Sequence, residues 1–393
     1  MAERLGVLVI NQIAASGLSR LPAEIYSVGK DVAKPAAILL RSADLHAMDI
    51  PASVRAIARA GAGTNNIPVD AMSKRGVPVF NAPGANANAV KELVIAGMLL
   101  AARQLAPALR FVANLDAASP DLDSAVENGK KSFAGYELAG QTLGIVGLGK
   151  VGCMVADAAI KLGMNVLGFD PEITVDAAWS LPSQVRRAAS VNDVLKQAQF
   201  VTLHVPLLDA TRHLVNDANI GLMKPGAVLL NFSRDGVVCD SAVIDALNAG
   251  RLGQYVCDFP AAQIHGHPQV IALPHLGAST REAEENCAVM VVDQLRDFLE
   301  HGNVSNAVNF PHVTLARESA FRVAIANANV PNMLGQISTA MAKAGLNIHT
   351  MVNKSRGGMA YTLVDVDSPV SAEVQNNIGA IDGVLAVRYL PAR

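Results

Sequence analysis

Three polar side chains follow apolar runs that are typical of buried strands. Arg234 follows the run AVLLNFS, Asp258 lies in YVCDF, and His275 follows VIALP. A histidine titrates near neutrality and can take the proton of a substrate hydroxyl. An arginine can hold a carboxylate through two hydrogen bonds. Each residue alone is more often an ordinary polar side chain, but together they predict oxidation of a secondary alcohol that carries an acid group.

A glycine-rich turn supplies a second chemical signal. The segment GLGKVG at 147–152 follows the strand-like run TLGIV and opens a helix-like stretch, and Asp170 ends the next apolar run. Three glycines in this pattern permit a tight turn, close approach of a pyrophosphate, and close packing of helix on strand. The candidate cofactor-binding residues here are Gly147, Gly149, Lys150, Val151, Gly152 and Asp170.

The acidic residue that follows the glycine-rich turn distinguishes NAD from NADP as cofactor. Asp170 can accept hydrogen bonds from ribose hydroxyls and would repel a 2′-phosphate, and no arginine follows it directly. The pattern therefore predicts NAD rather than NADP. The alternative is a glycine-rich turn in an α/β domain that binds no ligand.

The elements around these residues alternate between apolar runs and helix-like stretches, which is the pattern of parallel sheets built from βα units. One series occupies the first 80 residues, and a second extends from 142 to 274. We predict an α/β fold with two Rossmann-like parallel-sheet lobes, a ligand cleft between them, and a C-terminal α+β domain. The predicted domains are a substrate-binding lobe at 1–90 and 276–305, an NAD-binding lobe at 91–275, and a small domain at 318–393.

The composition excludes several other classes of protein. The 393 residues are 51% hydrophobic and 17% charged, which excludes wholesale disorder. The net charge of −2 favours neither a nucleic acid nor a membrane as partner. The longest clean apolar run, 93–102, falls short of the roughly 20 residues that span a bilayer. The four cysteines form no CxxC or zinc-like spacing, so we predict no metal site and a cytoplasmic location.

The polar segments resemble those of the D-isomer-specific 2-hydroxyacid dehydrogenases. The run HLGAST at 275–280 resembles the catalytic-histidine segment of that family, and NFSRDG at 231–236 resembles its arginine segment. AGAGTNN at 60–66 and GVPVFNAP at 76–83 resemble its substrate-lobe signature. The resemblance covers almost the whole chain. It implies oxidation of D-3-phosphoglycerate to 3-phosphohydroxypyruvate with NAD, the first step of phosphorylated L-serine biosynthesis.

The resemblance also implies roles for individual residues. His275 is expected to be the acid and base of the reaction, and Arg234 is expected to hold the substrate carboxylate and C2 oxygen. The other substrate-binding candidates are Arg41, Ser42, Arg59, Ala62, Gly63 and Asn86. The other cofactor-binding candidates are His204, Pro206, Thr211, Ser233 and Asp258.

The segment after Asp258 departs from the family pattern. The family places a glutamate there that hydrogen-bonds the catalytic histidine, but this chain has DFPAAQ at 258–263. Ala262 or Gln263 takes that position, so no carboxylate stabilises the protonated ring of His275. We predict that the family's pair of histidine and carboxylate is altered in this chain. Gln263 would orient the His275 ring without stabilising its protonated form.

The C-terminal domain resembles an ACT domain, a module that often binds amino acids between subunits. The resemblance implies serine as a regulatory ligand, with Asn329 and Asn347 as its hydrogen-bonding candidates, and a homodimer or homotetramer. Asn332 stands where the family usually has a glycine, which argues against close approach of a ligand to the backbone. The alternative is a module that serves only oligomerisation.

Two other functions stay open on the sequence. One is a dehydrogenase or reductase of another D-2-hydroxy or 2-oxo acid, such as 2-hydroxyglutarate. The other is an NAD-sensing protein with a degenerate site, which the absent glutamate favours and the presence of His275 and Arg234 disfavours.

Overall fold

A computed structural model describes residues 4–392. The contacts within it divide the chain into two compact units. Unit 1 comprises Met1–Asn86 and Arg281–Arg393, and unit 2 comprises Ala87–Thr280. The C-terminal segment from 318 groups with unit 1 by its contacts, and the predicted domain bounds stay a prediction.

The first sheet of unit 1 has five parallel strands in the order β2-β1-β3-β4-β5. The strands are β1 (Leu5–Val9), β2 (Tyr26–Gly29), β3 (Pro35–Leu40), β4 (Ala56–Arg59) and β5 (Val79–Phe80). Two short helices, α1 (Ala15–Leu18) and α2 (Val69–Lys74), lie in the connections. All six residues of β3 are buried, because a central parallel strand is covered on both faces.

The sheet of unit 2 has seven parallel strands in the order β12-β11-β10-β9-β6-β7-β8. The strands are β6 (Thr142–Val146), β7 (Asn165–Phe169), β8 (Arg186–Arg187), β9 (Phe200–Leu203), β10 (Ala227–Asn231), β11 (Leu252–Cys257) and β12 (Val270–Ala272). Strands β7 and β8 lie on one side of β6, and β9 to β12 lie on the other side. The order of the strands therefore reverses between β6 and β9. Ligands of such sheets bind at this point, beyond the carboxyl ends of the strands.

The helices of unit 2 are α3 (Ala87–Ala102), α4 (Leu105–Ala113), α5 (Leu122–Gly129), α6 (Lys150–Lys161), α7 (Val175–Ser180), α8 (Val191–Gln197) and α9 (Asp240–Asn248). Helix α3 packs on the sheet through residues such as Val94 and Met98. Helices α4 and α5 bury no residue completely, and Leu109 and Val112 are 67% and 59% exposed. Across residues 4–392, no single helix has the length and hydropathy to span a membrane, although α3 and α4 together, bent by 69°, meet that test.

The chain returns to unit 1 with the long helix α10 (Arg281–His301). A four-stranded antiparallel sheet follows, in the order β14-β15-β13-β16. Its elements are β13 (Phe321–Ala328), α11 (Met333–Lys343), β14 (Ile348–Arg356), β15 (Met359–Val366), α12 (Ala372–Gly379) and β16 (Val384–Pro391). The predicted fold class, two parallel α/β sheets with a C-terminal α+β module, is confirmed.

Helix α10 joins the two sheets of unit 1 into one hydrophobic core, which includes Val291, Leu295 and Phe298 of the helix. The C-terminal carbonyls of this helix have no partner within the helix. Arg388 donates to the carbonyls of Phe298 and Leu299, at 3.2 and 3.1 Å, and Tyr361 donates to that of Gly302 at 2.8 Å. Side chains of the C-terminal sheet therefore cap α10.

A fully buried ion pair completes this contact. Arg322 donates to both carboxylate oxygens of Asp365, at 2.6 and 2.8 Å, and neither side chain is exposed. Its other N–H groups donate to the carbonyls of His301, Leu315 and Ala316, at 2.9 to 3.1 Å. All five N–H donors of the guanidinium thus have an acceptor.

Candidate functional site

The glycine-rich turn has the geometry of a dinucleotide-binding loop. Gly147 has a φ of +94°, and a Cβ at Gly152 would lie 2.0 Å from the Gly147 carbonyl oxygen, so neither position admits a side chain. A Cβ at Gly149 would meet no atom within 4 Å. The backbone is therefore open at Gly149, where α6 begins at the exposed Lys150 and presents its free N–H groups.

Asp170 lies directly after β7 and faces this turn. Its Oδ2 accepts a hydrogen bond from the Leu148 N–H at 2.8 Å, and its Oδ1 accepts one from the Glu172 N–H at 2.9 Å. Each oxygen keeps a lone pair for a further donor. The carboxylate is thus held in place and can bind a ribose hydroxyl, so the residues of this turn fit NAD.

The loop after β9 carries three further candidates for cofactor binding. His204 Nε2 lies 3.0 Å from the Thr202 hydroxyl, and burial lowers the pKa of His204 to about 4. The Thr211 hydroxyl donates to the Pro206 carbonyl at 2.5 Å and accepts from the Leu208 N–H at 2.8 Å. The loop is therefore closed by its own bonds, with His204 neutral at physiological pH.

This histidine predicts a pH dependence of stability. Because the folded protein lowers the pKa of His204 from 6.5 to about 4, the unfolded chain takes up the proton first as the pH falls. We expect a loss of about 2–3 kcal/mol in the free energy of unfolding between about pH 6.5 and 4. Urea unfolding of the wild type and of His204→Gln at several pH values measures it. If both proteins lost the same free energy of unfolding as the pH fell, the loss could not be assigned to His204.

Arg234 follows β10 in a loop that the buried Asn231 holds. Asn231 donates to the Arg234 carbonyl at 3.0 Å and accepts from the Ser233 hydroxyl at 2.9 Å. The Arg234 guanidinium donates to the Ser233 carbonyl at 2.6 Å, and burial lowers the pKa of Arg234 without removing its charge at neutral pH. Within residues 4–392 no other hydrogen bond from this guanidinium is seen, so most of its donors stay available for an anion.

His275 lies after β12, in a turn that Asp258 organises. The Asp258 carboxylate accepts from the N–H groups of Leu276 and Gly277, both at 2.7 Å, and its backbone carbonyl accepts from the His275 N–H at 3.1 Å. Burial raises the pKa of Asp258, and these hydrogen bonds oppose that rise. The turn holds His275 at a φ of +58°, which few residues other than glycine and asparagine adopt. The side chain of His275 itself is exposed.

The partner of the His275 ring is aromatic. The ring packs edge-on against Phe259, with centroids 5.1 Å apart. Gln263 is exposed, and within residues 4–392 the structure shows no hydrogen bond from it to His275. The role of Gln263 as the orienting residue therefore gains no support. Phe259 contacts the ring, and the Asp258 turn holds the His275 backbone.

Unit 1 places two cationic candidates at the ends of neighbouring strands. Arg41 follows β3, and Arg59 ends β4. The Nε of Arg59 donates to the Arg41 carbonyl at 2.9 Å, and a side-chain N–H of Asn66 donates to the same carbonyl at 3.3 Å. Arg41 Nη1 forms an ion pair with Glu284 at 2.8 Å. The predicted neighbour Ser42 is exposed.

The other unit 1 candidates lie in two loops after the strands. Asn81 donates to the Ala62 carbonyl at 2.6 Å, which fixes the loop that contains Ala62 and Gly63. A Cβ at Gly61 would lie 2.3 Å from the Arg59 guanidinium, so this glycine leaves room for the arginine. Asn86 is half-buried at the end of the first segment of unit 1.

The two candidates for serine binding are exposed in the C-terminal module. Asn329 follows β13 and donates to the Gly357 carbonyl at 3.1 Å, and Asn347 precedes β14. Asn332 has a φ of +62° at the start of α11. The backbone there has the left-handed conformation that a glycine would favour, and the Asn332 side chain lies over Gly335.

The sequence analysis misses two residues that organise these loops. Asn231 supports the Arg234 loop, and Glu284 pairs with Arg41. Asn231 lies inside the segment NFSRDG at 231–236, so its position near Arg234 is a usable signal. Glu284 has no such signal, because it is remote from Arg41 in the sequence.

Comparison with known proteins agrees with the geometry. Residues 95–277 match the NAD-binding domain of the D-isomer specific 2-hydroxyacid dehydrogenases. The D-3-phosphoglycerate dehydrogenase of Haemophilus influenzae is 31% identical over 340 residues, covering 84% of this chain and 79% of that protein. The enzyme of the same name from Methanocaldococcus jannaschii is 36% identical over 66% of this chain, which spans 48% of that protein.

Solved structures show the same fold. The TT0316 protein of Thermus thermophilus aligns with a TM-score of 0.63 and 27% identity over 77% of this chain and 100% of its own. An NAD+-bound 3-phosphoglycerate dehydrogenase of Entamoeba histolytica aligns with a TM-score of 0.61 and 23% identity, over 78% of this chain and 99% of its own.

The chain belongs to the D-isomer-specific 2-hydroxyacid dehydrogenases, a family of NAD-dependent oxidoreductases. Within that family its curated relatives include D-3-phosphoglycerate dehydrogenases that it matches over most of its length. NAD is the cofactor, as the turn at 147–152 and Asp170 predict.

Proposed function

We propose that the protein oxidises D-3-phosphoglycerate to 3-phosphohydroxypyruvate with NAD. The observation that carries the proposal is the set of loops after three adjacent strands of unit 2. Arg234 follows β10, Asp258 follows β11, and His275 follows β12. The carboxyl ends of adjacent parallel strands lie at one edge of a sheet, so a cation and a proton acceptor are presented there together.

These residues divide the chemistry between them. His275 accepts the proton of the C2 hydroxyl, and Arg234 binds the carboxylate and the C2 oxygen. NAD, when bound, accepts the hydride from C2. The Asp258 turn holds the backbone at His275, and Phe259 packs against the ring. In the reverse direction His275 returns the proton to the ketone oxygen.

The charges of unit 1 support a phosphorylated substrate. Arg41 and Arg59 end neighbouring strands, and the Arg41 side chain is about one-third exposed. Guanidinium groups bind phosphate oxygens strongly through paired N–H donors. A hydroxy acid with a neutral tail has no group that needs these cations, and the single negative charge of a tail carboxylate attracts them less than a phosphate dianion does.

Substrate comparison tests the proposal. We expect purified protein to oxidise NADH faster with 3-phosphohydroxypyruvate than with 2-oxoglutarate or pyruvate. Arg41→Ala should raise KM for 3-phosphohydroxypyruvate about 10- to 100-fold, since a charge-assisted hydrogen bond to phosphate is lost. Arg55→Ala, an exposed arginine of the same unit, is the control. Turnover confined to an unphosphorylated acid would reject the proposed substrate and keep the enzyme class.

An oligomer is the proposed state of the protein. Helix α4 exposes Leu109 and Val112 on its surface, and helices α4 and α5 bury no residue completely. Exposed apolar patches of this kind favour association, and a closed dimer is the commonest symmetry. Light scattering of the purified protein gives the number of subunits.

Serine is proposed as a ligand of the C-terminal module. Asn329 and Asn347 offer amide groups there, and both are exposed. Adding L-serine to the assay above tests inhibition. The proposed location is the cytoplasm, which the four free cysteines support.

A further inference from the structure

Glu284 lies against the cation that is proposed to bind the substrate phosphate. Its Oε1 is 2.8 Å from Arg41 Nη1, within unit 1. Glu284 stands in the first turn of α10, and Arg41 follows β3. The Arg41 backbone is held by Arg59 and Asn66, so the guanidinium and the carboxylate meet from two fixed elements.

The charges of both arginines and of Glu284 act on one buried group, the thiol of Cys287. Burial raises the pKa of Cys287, the charges of Arg59 and Arg41 lower it, and the charge of Glu284 raises it. The positive field of the two arginines is partly cancelled by one carboxylate.

We propose that Glu284 sets the affinity of the Arg41 site for the phosphorylated substrate by offsetting part of its positive charge. The inference rests on the proposed function, because it takes Arg41 as a ligand of the phosphate. A dianionic phosphate at Arg41 meets repulsion from Glu284, which weakens binding of substrate and product alike. Glu284 thereby keeps the site from binding its ligand so tightly that release becomes slow.

The charge of the ligand determines the size of the effect. The side chains of Arg41 and Glu284 are 34% and 42% exposed, so solvent screens the interaction and a single unit of charge changes binding by about twofold. Because Coulomb energies scale with charge, a dianionic tail should respond by about fourfold, a monoanionic tail by about twofold, and a neutral tail not at all.

The substitution Glu284→Gln keeps the size of the side chain and a hydrogen-bond acceptor for Arg41, and it removes the charge. We expect it to lower KM about fourfold for 3-phosphohydroxypyruvate and about twofold for 2-oxoglutarate, and to leave KM for hydroxypyruvate unchanged. Glu285→Gln is the matched control, because Glu285 is the next residue of α10 and is exposed. It should alter none of these values.

A second readout does not depend on turnover. Inorganic phosphate that binds the folded protein raises its melting temperature. The phosphate concentration that gives a fixed rise should be about fourfold lower for Glu284→Gln than for the wild type, and unchanged for Glu285→Gln. The role of Glu284 would be overturned if Glu284→Gln needed the same or a higher phosphate concentration for that rise. It would also be overturned if KM for 3-phosphohydroxypyruvate were unchanged or raised.

The two readouts separate the two proposals. If the wild type fails to reduce 3-phosphohydroxypyruvate but Glu284→Gln binds inorganic phosphate more tightly, the proposed substrate is wrong and the charge offset stands. If the wild type reduces it and Glu284→Gln binds neither ligand more tightly, the function stands and the charge offset is wrong.

Discussion

Replacing His275 by asparagine is expected to lower kcat for 3-phosphohydroxypyruvate by about 10²- to 10⁴-fold, because general acid–base catalysis contributes that much. Asparagine is the suitable substitute, since it tolerates the left-handed backbone that His275 adopts at a φ of +58°. The Asp258 bonds to the N–H groups of Leu276 and Gly277 do not involve the His275 side chain, so the turn should survive.

Steady-state NADH oxidation measures the loss, and nicotinamide fluorescence measures NADH binding by the same protein. NADH binding should stay within about twofold of the wild type, since the turn at 147–152 is untouched. His265→Asn is the matched control, because His265 is an exposed histidine of the same unit. More than a tenth of the wild-type kcat in His275→Asn would contradict the role of His275 as acid and base.

The central strands of both parallel sheets are predictable from the sequence. Strands such as β3 and β10 are buried over their whole length, so they stand out as continuous apolar runs. The polar residues that follow such runs in unit 2 are predictable as candidate site residues for the same reason. Arg234 and His275 are identifiable from these runs without reference to a known family.

Edge strands and exposed helices escape the same reasoning. Strand β14 has the sequence IHTMVNKSR and no fully buried residue, because it lies at the edge of its sheet. Helices α4 and α5 have amphipathic sequences, but the structure buries no residue of either helix completely, so their periodicity does not show what they pack against. Strand β14 lacks the alternating pattern on which a sequence-based prediction of a strand depends.

Contacts between remote segments form the second class of unpredicted features. The pairs Arg41–Glu284 and Arg322–Asp365 join residues on different elements of unit 1, and neither pair belongs to a local motif. The edge contact of Phe259 with His275 likewise depends on how two loops meet. Such pairings follow from the tertiary fold, which composition and periodicity do not specify.

The second large effect is expected from Asp365→Asn. This change leaves Arg322 as a buried charge without its carboxylate, which costs about 3–5 kcal/mol in the free energy of unfolding. Burial alone raises the pKa of Asp365, but the hydrogen bonds from Arg322 and the Glu318 N–H and the charge of Arg322 bring it below its usual value. The carboxylate is therefore ionised in the folded protein at neutral pH.

Urea unfolding followed by circular dichroism measures the change. Asp367→Asn is the matched control, because Asp367 is an exposed carboxylate just beyond the same strand. It should leave the free energy of unfolding nearly unchanged, as is usual for exposed ionic groups. Equal unfolding free energies for Asp365→Asn and the wild type would show that the buried pair contributes no stability.

The double variant Arg322→Met with Asp365→Leu tests how much stability comes from the ion pair itself. The rest comes from the hydrogen bonds that Arg322 donates to carbonyls at and beyond the end of α10. Replacing a buried ion pair by apolar residues of similar volume is often neutral or stabilising. Here the arginine also donates to the carbonyls of His301, Leu315 and Ala316, which would lose their partners. These hydrogen bonds are partly buried, and loss of each costs about 0.5–1.5 kcal/mol. The double variant should therefore remain less stable than the wild type, because Arg322 stabilises the end of α10 as well as neutralising Asp365.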